Sequence, residues 1–481
     1  MKPIQINRRS VLAAAGLALP TLAIAQDAAG PFRFTGWRGA ETDAERGFLE
    51  VPEDRSDPAS RTIRLGYVRF PSTSPNPGNP IVYLSGGPGG TGTGTATGPR
   101  FPIFMALRAV ADVIAFDQRG TGLSASIPPL DLAPLPVPPL TRAGLTGHVR
   151  EAYRAAWDAW TARGIGMRGY TTAESADDLD ALRVHLGAER IDLWGISYGS
   201  HLALSALRRH PDRIGRVALA SLEGQDQTVK RPDRLELYLD RVDALLDGDA
   251  SLRAAVPSLP ALMRRVHARM EAEPLALAST YRGAPVEAQV GGFAVQMLAG
   301  GLIANPSSLA LLPSLYLALE AGETAVLSRF FGQMEGLLDI AGMPETMDLA
   351  SGISPARAAL VAEVAPASVL GDALNFPMPH LSGVVPGLDL GETFRAPLSI
   401  DTPALLVAGT LDGRTPLEEQ AEVVDQFRNR SRIIVENAGH NVFEAHPEVQ
   451  DLLVRFFAGE AVSDTHLTLP PPAFPPALVR A

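Results

Sequence analysis

The stretch Ile191-Asp192-Leu193-Trp194-Gly195-Ile196-Ser197-Tyr198-Gly199-Ser200 decides the fold. A short apolar run breaks at Gly-x-Ser-x-Gly and continues as a helix-like segment. The pattern predicts a buried strand, a tight turn carrying Ser197, and a helix. That context lifts a serine hydroxyl above the end of a sheet strand, as in a nucleophile elbow. Gly195 and Gly199 then leave room where side chains would collide with strand and helix. The same pattern without that context would be an ordinary turn in a chain with 45 glycines.

Working outward, the segment from Pro80 to Leu84 reads as a buried strand that runs into Ser85-Gly86-Gly87-Pro88-Gly89-Gly90. The loop lacks the Gly-Lys-Ser/Thr ending of a phosphate cradle, so its better reading is half of an oxyanion hole. Ala111 to Phe116 forms another strand and ends in Asp117-Gln118-Arg119-Gly120-Thr121-Gly122-Leu123-Ser124. Asp117 and Arg119 read as a pair that holds this loop in shape. Thr171-Thr172-Ala173-Glu174 is a capping-box signature opening a helix with Ala176, Leu179 and Leu182 on one face. Val217 to Ala220 is the next strand, and antiparallel strands are expected over 47–52 and 62–70. Strands alternating with helices mean an α/β fold: a mostly parallel central sheet with helices on both faces.

The alternation stops after the core segment 26–223. Residues 224–397 are Ala/Leu-rich, with helical blocks expected at 234–246, 259–271, 288–304 and 308–338, and read as an all-helical cap over the sheet edge. The sheet resumes in 398–460, with strands at 403–409 and 432–436 and a closing helix at 447–457. The Pro-rich tail, 461–481, is expected to lie extended on the surface.

Ser197, Asp412 and His440 each follow an expected strand, in the chain order Ser, Asp, His, and so converge on one sheet edge. A serine hydroxyl is a poor nucleophile until an imidazole takes its proton, and the imidazole needs a carboxylate to fix its tautomer. Of the nine histidines, only His440 follows a late strand in a Gly-rich loop. His201, His210, His267 and His446 fall on helix faces or ends. Asp401 precedes its strand and stands at the wrong edge. The backbone amides of Tyr198 and Gly87 are placed to donate to an oxyanion.

Composition narrows the classes further. A net charge of −11 without a basic cluster beyond the N-terminus argues against nucleic-acid and anionic-membrane partners. The absence of cysteine excludes disulfides, a cysteine nucleophile and Cys-ligated metal sites. No metal or cofactor is called for, and no later segment is apolar enough to anchor the chain in a membrane. Residues 1–25 read as a signal peptide, with a basic start, an apolar middle and Ala23-Ile24-Ala25 at the cleavage site. Arg8-Arg9 resembles the twin-arginine export signal, so a periplasmic or extracellular destination is expected.

Taken with Gly409-Thr410-Leu411-Asp412 and Gly439-His440, these motifs resemble the prolyl and tripeptidyl aminopeptidases, serine peptidases of the α/β-hydrolase fold. The likeness runs from about Gly47 to Phe457. It implies release of residues or short peptides from a free N-terminus, without metal or cofactor, with acidic residues under the cap holding the amine. Ser85 stands where prolyl aminopeptidases usually carry His, and Trp37, Trp157, Trp160 and Trp194 all lie outside the cap segment. Both features favour the tripeptidyl type. Glu223, at the cap's entrance, is the candidate amine anchor. A carboxylic-ester or lactone hydrolase on the same scaffold remains the alternative, with a small ester as substrate in place of a peptide.

Overall fold

The computed structural model describes residues 28–475 except 131, 133–134 and 333–334. The expected signal segment 1–25 lies outside the described residues. Among the described residues there are twelve strands: β1 (Gly30–Thr35), β2 (Glu41–Pro52), β3 (Thr62–Phe70), β4 (Ile81–Leu84), β5 (Val113–Phe116), β6 (Ile191–Ile196), β7 (Ile214–Ala220), β8 (Leu275–Tyr281), β9 (Ala284–Val290), β10 (Ala404–Gly409), β11 (Arg430–Glu436) and β12 (Thr465–Thr468). Ten build one sheet in the order β1-β2-β3-β5-β4-β6-β7-β10-β11-β12. From β5 to β12 every neighbouring pair is parallel, whereas β1, β2 and β3 form the antiparallel edge.

The central strands are apolar on both faces because both faces are covered. Along β4, Val82 and Leu84 enter one core with Leu193, Leu202 and Leu219. Ile81 and Tyr83 enter the opposite core with Trp194, Leu405 and Val435. Trp194 is fully buried there, its ring centroid 4.7 Å from Tyr83 and 4.8 Å from Phe104. On one side the sheet is covered by the helices Thr172–His185 and Tyr198–Arg209, and on the other by Pro447–Phe457. Thr171 caps the first of these by accepting from the Glu174 amide at 3.2 Å.

Between β7 and β10 the chain builds a layer with its own apolar core. Helices Pro232–Leu245 and Leu259–Ala272 match the expected blocks. The stretch from Leu275 differs: β8 and β9 pair as an antiparallel hairpin, and helix Gly292–Leu302 begins only afterwards. The turn residues Arg282 (φ +50°) and Gly283 (φ +75°) suit a two-residue hairpin loop, and alternate burial of Leu277, Ser279 and Tyr281 supplies the strand period. The layer is therefore not wholly helical. The block expected at 308–338 is likewise interrupted, as short helices at Pro306–Leu309, Leu312–Glu320 and Glu335–Leu338 with a 3-10 stretch at Thr324–Arg329. The first core segment also contributes, because Leu140 exchanges backbone hydrogen bonds with Gln289 (2.7 Å) and Gly291 (3.2 Å) at the hairpin's end.

The tail is not merely extended on the surface. β12 adds a parallel strand beside β11, with Val435 opposite Leu467, because β-branched Thr465 and Thr468 flank a Leu467 that enters the core. Phe474 then packs on the cap core. Among the described residues no helix is long and apolar enough to cross a membrane.

Candidate active site

β6 leads into Ser197, whose backbone stands at φ +55°, ψ −126°, a conformation L-residues rarely adopt and that typically costs about 1–3 kcal/mol. The surroundings hold it there. Its amide donates to the Ala220 carbonyl at 3.0 Å, and its carbonyl accepts the Ser200 hydroxyl at 2.6 Å. The flanking glycines are required by contact: a Cβ on Gly199 would lie 2.1 Å from the Leu84 carbonyl oxygen, and one on Gly195 would lie 2.7 Å from the Gly199 oxygen. Strand and helix cross too closely here for any side chain.

Asp412 follows β10 and His440 follows β11. The His440 Nδ1 lies 3.0 Å from both carboxylate oxygens of the fully buried Asp412. An ionised carboxylate only accepts, so Nδ1 carries the proton and Nε2 is left as the basic nitrogen. Asp412 Oδ1 is fixed in turn by the amides of Arg414 and Thr415, both at 2.9 Å. The His440 carbonyl accepts the Ser221 hydroxyl at 3.0 Å. Ser221 is the next residue after Ala220, to which Ser197 is bonded, so the last residue of β7 and the one after it tie the serine loop to the histidine loop.

The glycine loop after β4 packs directly on the elbow: a Cβ on Gly86 would sit 3.3 Å from that of Ser197. Gly87 has φ +123°, and Gly90 closes the turn by donating to the Gly86 carbonyl at 3.1 Å. Tyr198 begins the helix Tyr198–Arg209, where the first amides have no intrahelical acceptor. The glycine loop, through Gly86, and the helix start at Tyr198 thus flank Ser197. The Asp117–Arg119 loop is structural, as expected, but the two residues do not pair with each other. Asp117 accepts from Thr93 and from the Leu123 amide, whereas buried Arg119 spans both oxygens of Asp178 at 2.8 Å. The partner lies on the helix Thr172–His185, a contact no local spacing announces.

Helix Met343–Ser351 from the cap covers this edge. Met343 lies against Gly120, Pro344 against Gly89, and the Met347 sulfur accepts from the Tyr198 hydroxyl at 3.0 Å. His201 joins the same contact. Its Nδ1 donates to the Gly224 carbonyl at 3.0 Å, leaving Nε2 to accept from the Ser351 hydroxyl at 3.1 Å. Burial pushes its pKa down, consistent with a neutral strut between elbow helix and cap.

Glu223 is buried at the cap's entrance and paired with Lys230 at 2.9 Å. Sequence reasoning did not single out two charged neighbours. Asp348, half-buried on the cap helix, makes no side-chain hydrogen bond or ion pair among the described residues. Burial, then repulsion from Glu223, raises its pKa well above the carboxylate range. Arg414 is equally without such a partner. It is exposed, and desolvation nevertheless lowers its pKa while Glu223, Asp412 and Asp348 act on it from nearby. Arg414 could have been noticed as the residue two beyond Asp412, whereas Asp348 sits in a helix without any motif. Among the described residues no group of three or more His, Asp or Glu could hold a metal ion.

A ten-stranded, mostly parallel sheet with a serine elbow after β6 and an Asp–His pair after β10 and β11 defines an α/β-hydrolase. The chain has the α/β-hydrolase fold. A model described as alpha/beta hydrolase fold matches residues 79–299, and one described as TAP-like protein matches residues 391–465. The chain is similar to the tripeptidyl aminopeptidase of Streptomyces coelicolor, at 29% identity over 192 residues, covering 37% of this chain and 34% of that protein. It is also similar to the serine protease Hip1 of Mycobacterium tuberculosis, at 27% over 183 residues, covering 36% and 35%. A Streptomyces coelicolor protein named "Probable proline iminopeptidase" is 31% identical over 151 residues, covering 31% and 35%. The chain thus spans about a third of the length of these curated relatives.

Proposed function

We propose that the protein is an exported serine aminopeptidase that releases residues or short peptides from free N-termini through an acyl-enzyme. The observation that carries the reading is the His440–Asp412 pair at 3.0 Å beside the elbow of Ser197. With Nδ1–H directed at Asp412, His440 Nε2 takes the Ser197 proton as Oγ attacks the scissile carbonyl. The oxyanion forms between the amides of Gly87 and Tyr198. His440 then gives its proton to the leaving amine. A water, deprotonated by the same nitrogen, attacks the acyl ester and returns Ser197.

The cap supports an exopeptidase over an endopeptidase, because helix Met343–Ser351 lies across the edge that carries Ser197. A free ammonium reaching the edge under helix Met343–Ser351 meets Asp348, which makes no side-chain hydrogen bond or ion pair among the described residues, with the Glu223–Lys230 pair nearby. Binding the amine ionises Asp348 and supplies the counter-charge it lacks. Names of relatives add support, since they include tripeptidyl aminopeptidases and a serine protease. Export is supported by Arg8-Arg9, the apolar segment and Ala23-Ile24-Ala25. N-terminal sequencing of the exported protein should begin at Gln26.

The test compares peptidyl amides bearing a free amine with their N-acetyl forms, alongside p-nitrophenyl esters. Loss of a buried charge pair predicts that acetylation lowers kcat/KM about 30-fold or more. Equal turnover of both forms, or brisk ester turnover with no peptide cleaved, overturns the aminopeptidase reading in favour of an ester hydrolase.

A further inference from the structure

Ser200, fully buried in the first turn of helix Tyr198–Arg209, bridges two stretches of backbone. Its hydroxyl donates to the Ser197 carbonyl at 2.6 Å and accepts the Glu223 amide at 2.8 Å. A carbonyl only accepts and an amide only donates, so the hydroxyl proton is fixed on the Ser197 side. A serine bonded to the carbonyl three residues back is ordinary in a helix. Two features set this one apart. The carbonyl belongs to the peptide whose N–H is that of Tyr198, and the hydroxyl is itself held by a donor from outside the helix.

The Ser197–Tyr198 peptide is trans, so its C=O and N–H share a plane and point in opposite directions. Whatever holds the Ser197 oxygen therefore aims the Tyr198 N–H. Donation into that oxygen also polarises the amide and strengthens its N–H as a donor. The far end of the bridge is anchored where the chain leaves the sheet for the cap. Ala220 accepts the Ser197 amide, Ser221 donates to the His440 carbonyl, and Glu223 donates to Ser200. Residues 220–223 thus reach the elbow, the histidine loop and, through Ser200, the Tyr198 peptide.

We propose that Ser200 is a positioning residue for the reaction: its hydroxyl, oriented by the Glu223 amide, aims and polarises the Tyr198 N–H toward the oxyanion that forms on the Ser197 adduct. This rests on the reading of Ser197 as nucleophile and of the Tyr198 amide as oxyanion donor, and it holds for a peptide or an ester alike. A donor aimed at the tetrahedral oxyanion favours the transition state over the bound substrate, so the effect falls on kcat.

The experiment compares Ser200→Ala, Ser200→Cys and Ser200→Thr with the wild type. Rates are taken per site titrated with a fluorophosphonate, so that unfolded protein does not count, and thermal unfolding follows the fold. In Ser200→Ala, kcat on peptidyl amides or p-nitrophenyl esters should fall about 10-fold with KM within about 2-fold. That is less than the roughly 10²- to 10³-fold lost with a whole oxyanion donor, because the Tyr198 N–H remains. The rate of fluorophosphonate labelling should fall by a similar factor, since the phosphoryl oxygen meets the same donors. Ser200→Cys keeps the shape with a weak donor and should behave like Ser200→Ala, which secures the test if the smaller side chain unsettles the fold. Ser200→Thr, whose hydroxyl can bond the carbonyl three residues back, should recover most of the rate. Unchanged kcat and labelling in folded Ser200→Ala or Ser200→Cys, a loss confined to KM, or a folded Ser200→Thr no faster than Ser200→Ala overturns the proposal. Labelling needs no peptide. Labelling of Ser197 without cleavage of any peptide rejects the aminopeptidase reading and leaves the labelling rates to decide on Ser200, whereas no labelling at Ser197 rejects both.

Discussion

The amide of His440 donates to the carbonyl of Ala304 at 2.7 Å, fastening the histidine loop to the cap just beyond helix Gly292–Leu302. The neighbouring Ile303 carbonyl accepts from the Gly413 amide at 3.1 Å and from the Tyr238 hydroxyl at 3.1 Å. One turn of the cap therefore holds the loops that carry Asp412 and His440. Cap and core set each other's position at the edge that carries Asp412 and His440.

Tyr238→Phe tests this coupling. The fully buried hydroxyl also reaches the Leu411 carbonyl at 3.4 Å, so its removal leaves carbonyls short of a donor. A stability loss of about 1–2 kcal/mol is expected. If the turn aligns the pair, kcat should fall while KM stays nearly constant. Urea unfolding and steady-state kinetics measure both, and unchanged kcat with the stability loss would separate packing from alignment.

Ser197→Ala and His440→Ala should each lower kcat by roughly 10⁴- to 10⁶-fold, and the double variant should lose no more than the worse single, because the groups act as a unit. Asp412→Asn should cost about 10⁴-fold through the wrong imidazole tautomer. Fluorophosphonate labelling should mark Ser197 and fail in Ser197→Ala. Near-full activity of folded Asp412→Asn would assign the acid elsewhere.

Gly199→Ala places a methyl 2.1 Å from a backbone carbonyl in the middle of the sheet. Because neither strand nor helix can yield, a loss of roughly 3 kcal/mol and collapse of activity are expected. Gly248→Ala, where nothing lies within 4 Å of the added carbon, is the control. Thermal unfolding compares the two, and equal midpoints would reject the close-approach argument.

Which parts were legible follows from how far each signal reaches along the chain. Strand ends such as Gly195–Gly199, Asp412 and Gly439-His440 announce themselves, because turn chemistry is local. The hairpin Leu275–Val290 lies mostly between the expected helical blocks, in a segment whose Ala and Leu suit either state, and only alternation at Leu277, Ser279 and Tyr281 speaks for a strand. β12 is hidden by the proline run that follows it. Arg119–Asp178 and the His440–Ala304 bond join residues far apart in sequence, and nothing near them in the chain marks them.

Asp348→Asn sets stability against function. Burial and the Glu223 carboxylate raise the native pKa of Asp348, and Lys230 and Arg414 oppose that only in part. Unfolded, the group titrates near 3.9. The native state therefore holds a proton that the unfolded chain has released over the interval between the two values, so its stabilising contribution is complete below about 3.9 and is lost as pH rises through the raised native value. Asparagine bears no such proton. The variant should match the wild type near pH 3.5 and gain stability over it progressively toward neutrality, as read from thermal midpoints across a pH series. Its kcat/KM on free-amine peptides should fall about 10-fold or more, with a smaller change on N-acetyl peptides, since the ammonium's partner is gone. A stability difference that is flat with pH would show that Asp348 is ionised in the native state. A uniform loss on both substrate classes would place it outside amine recognition.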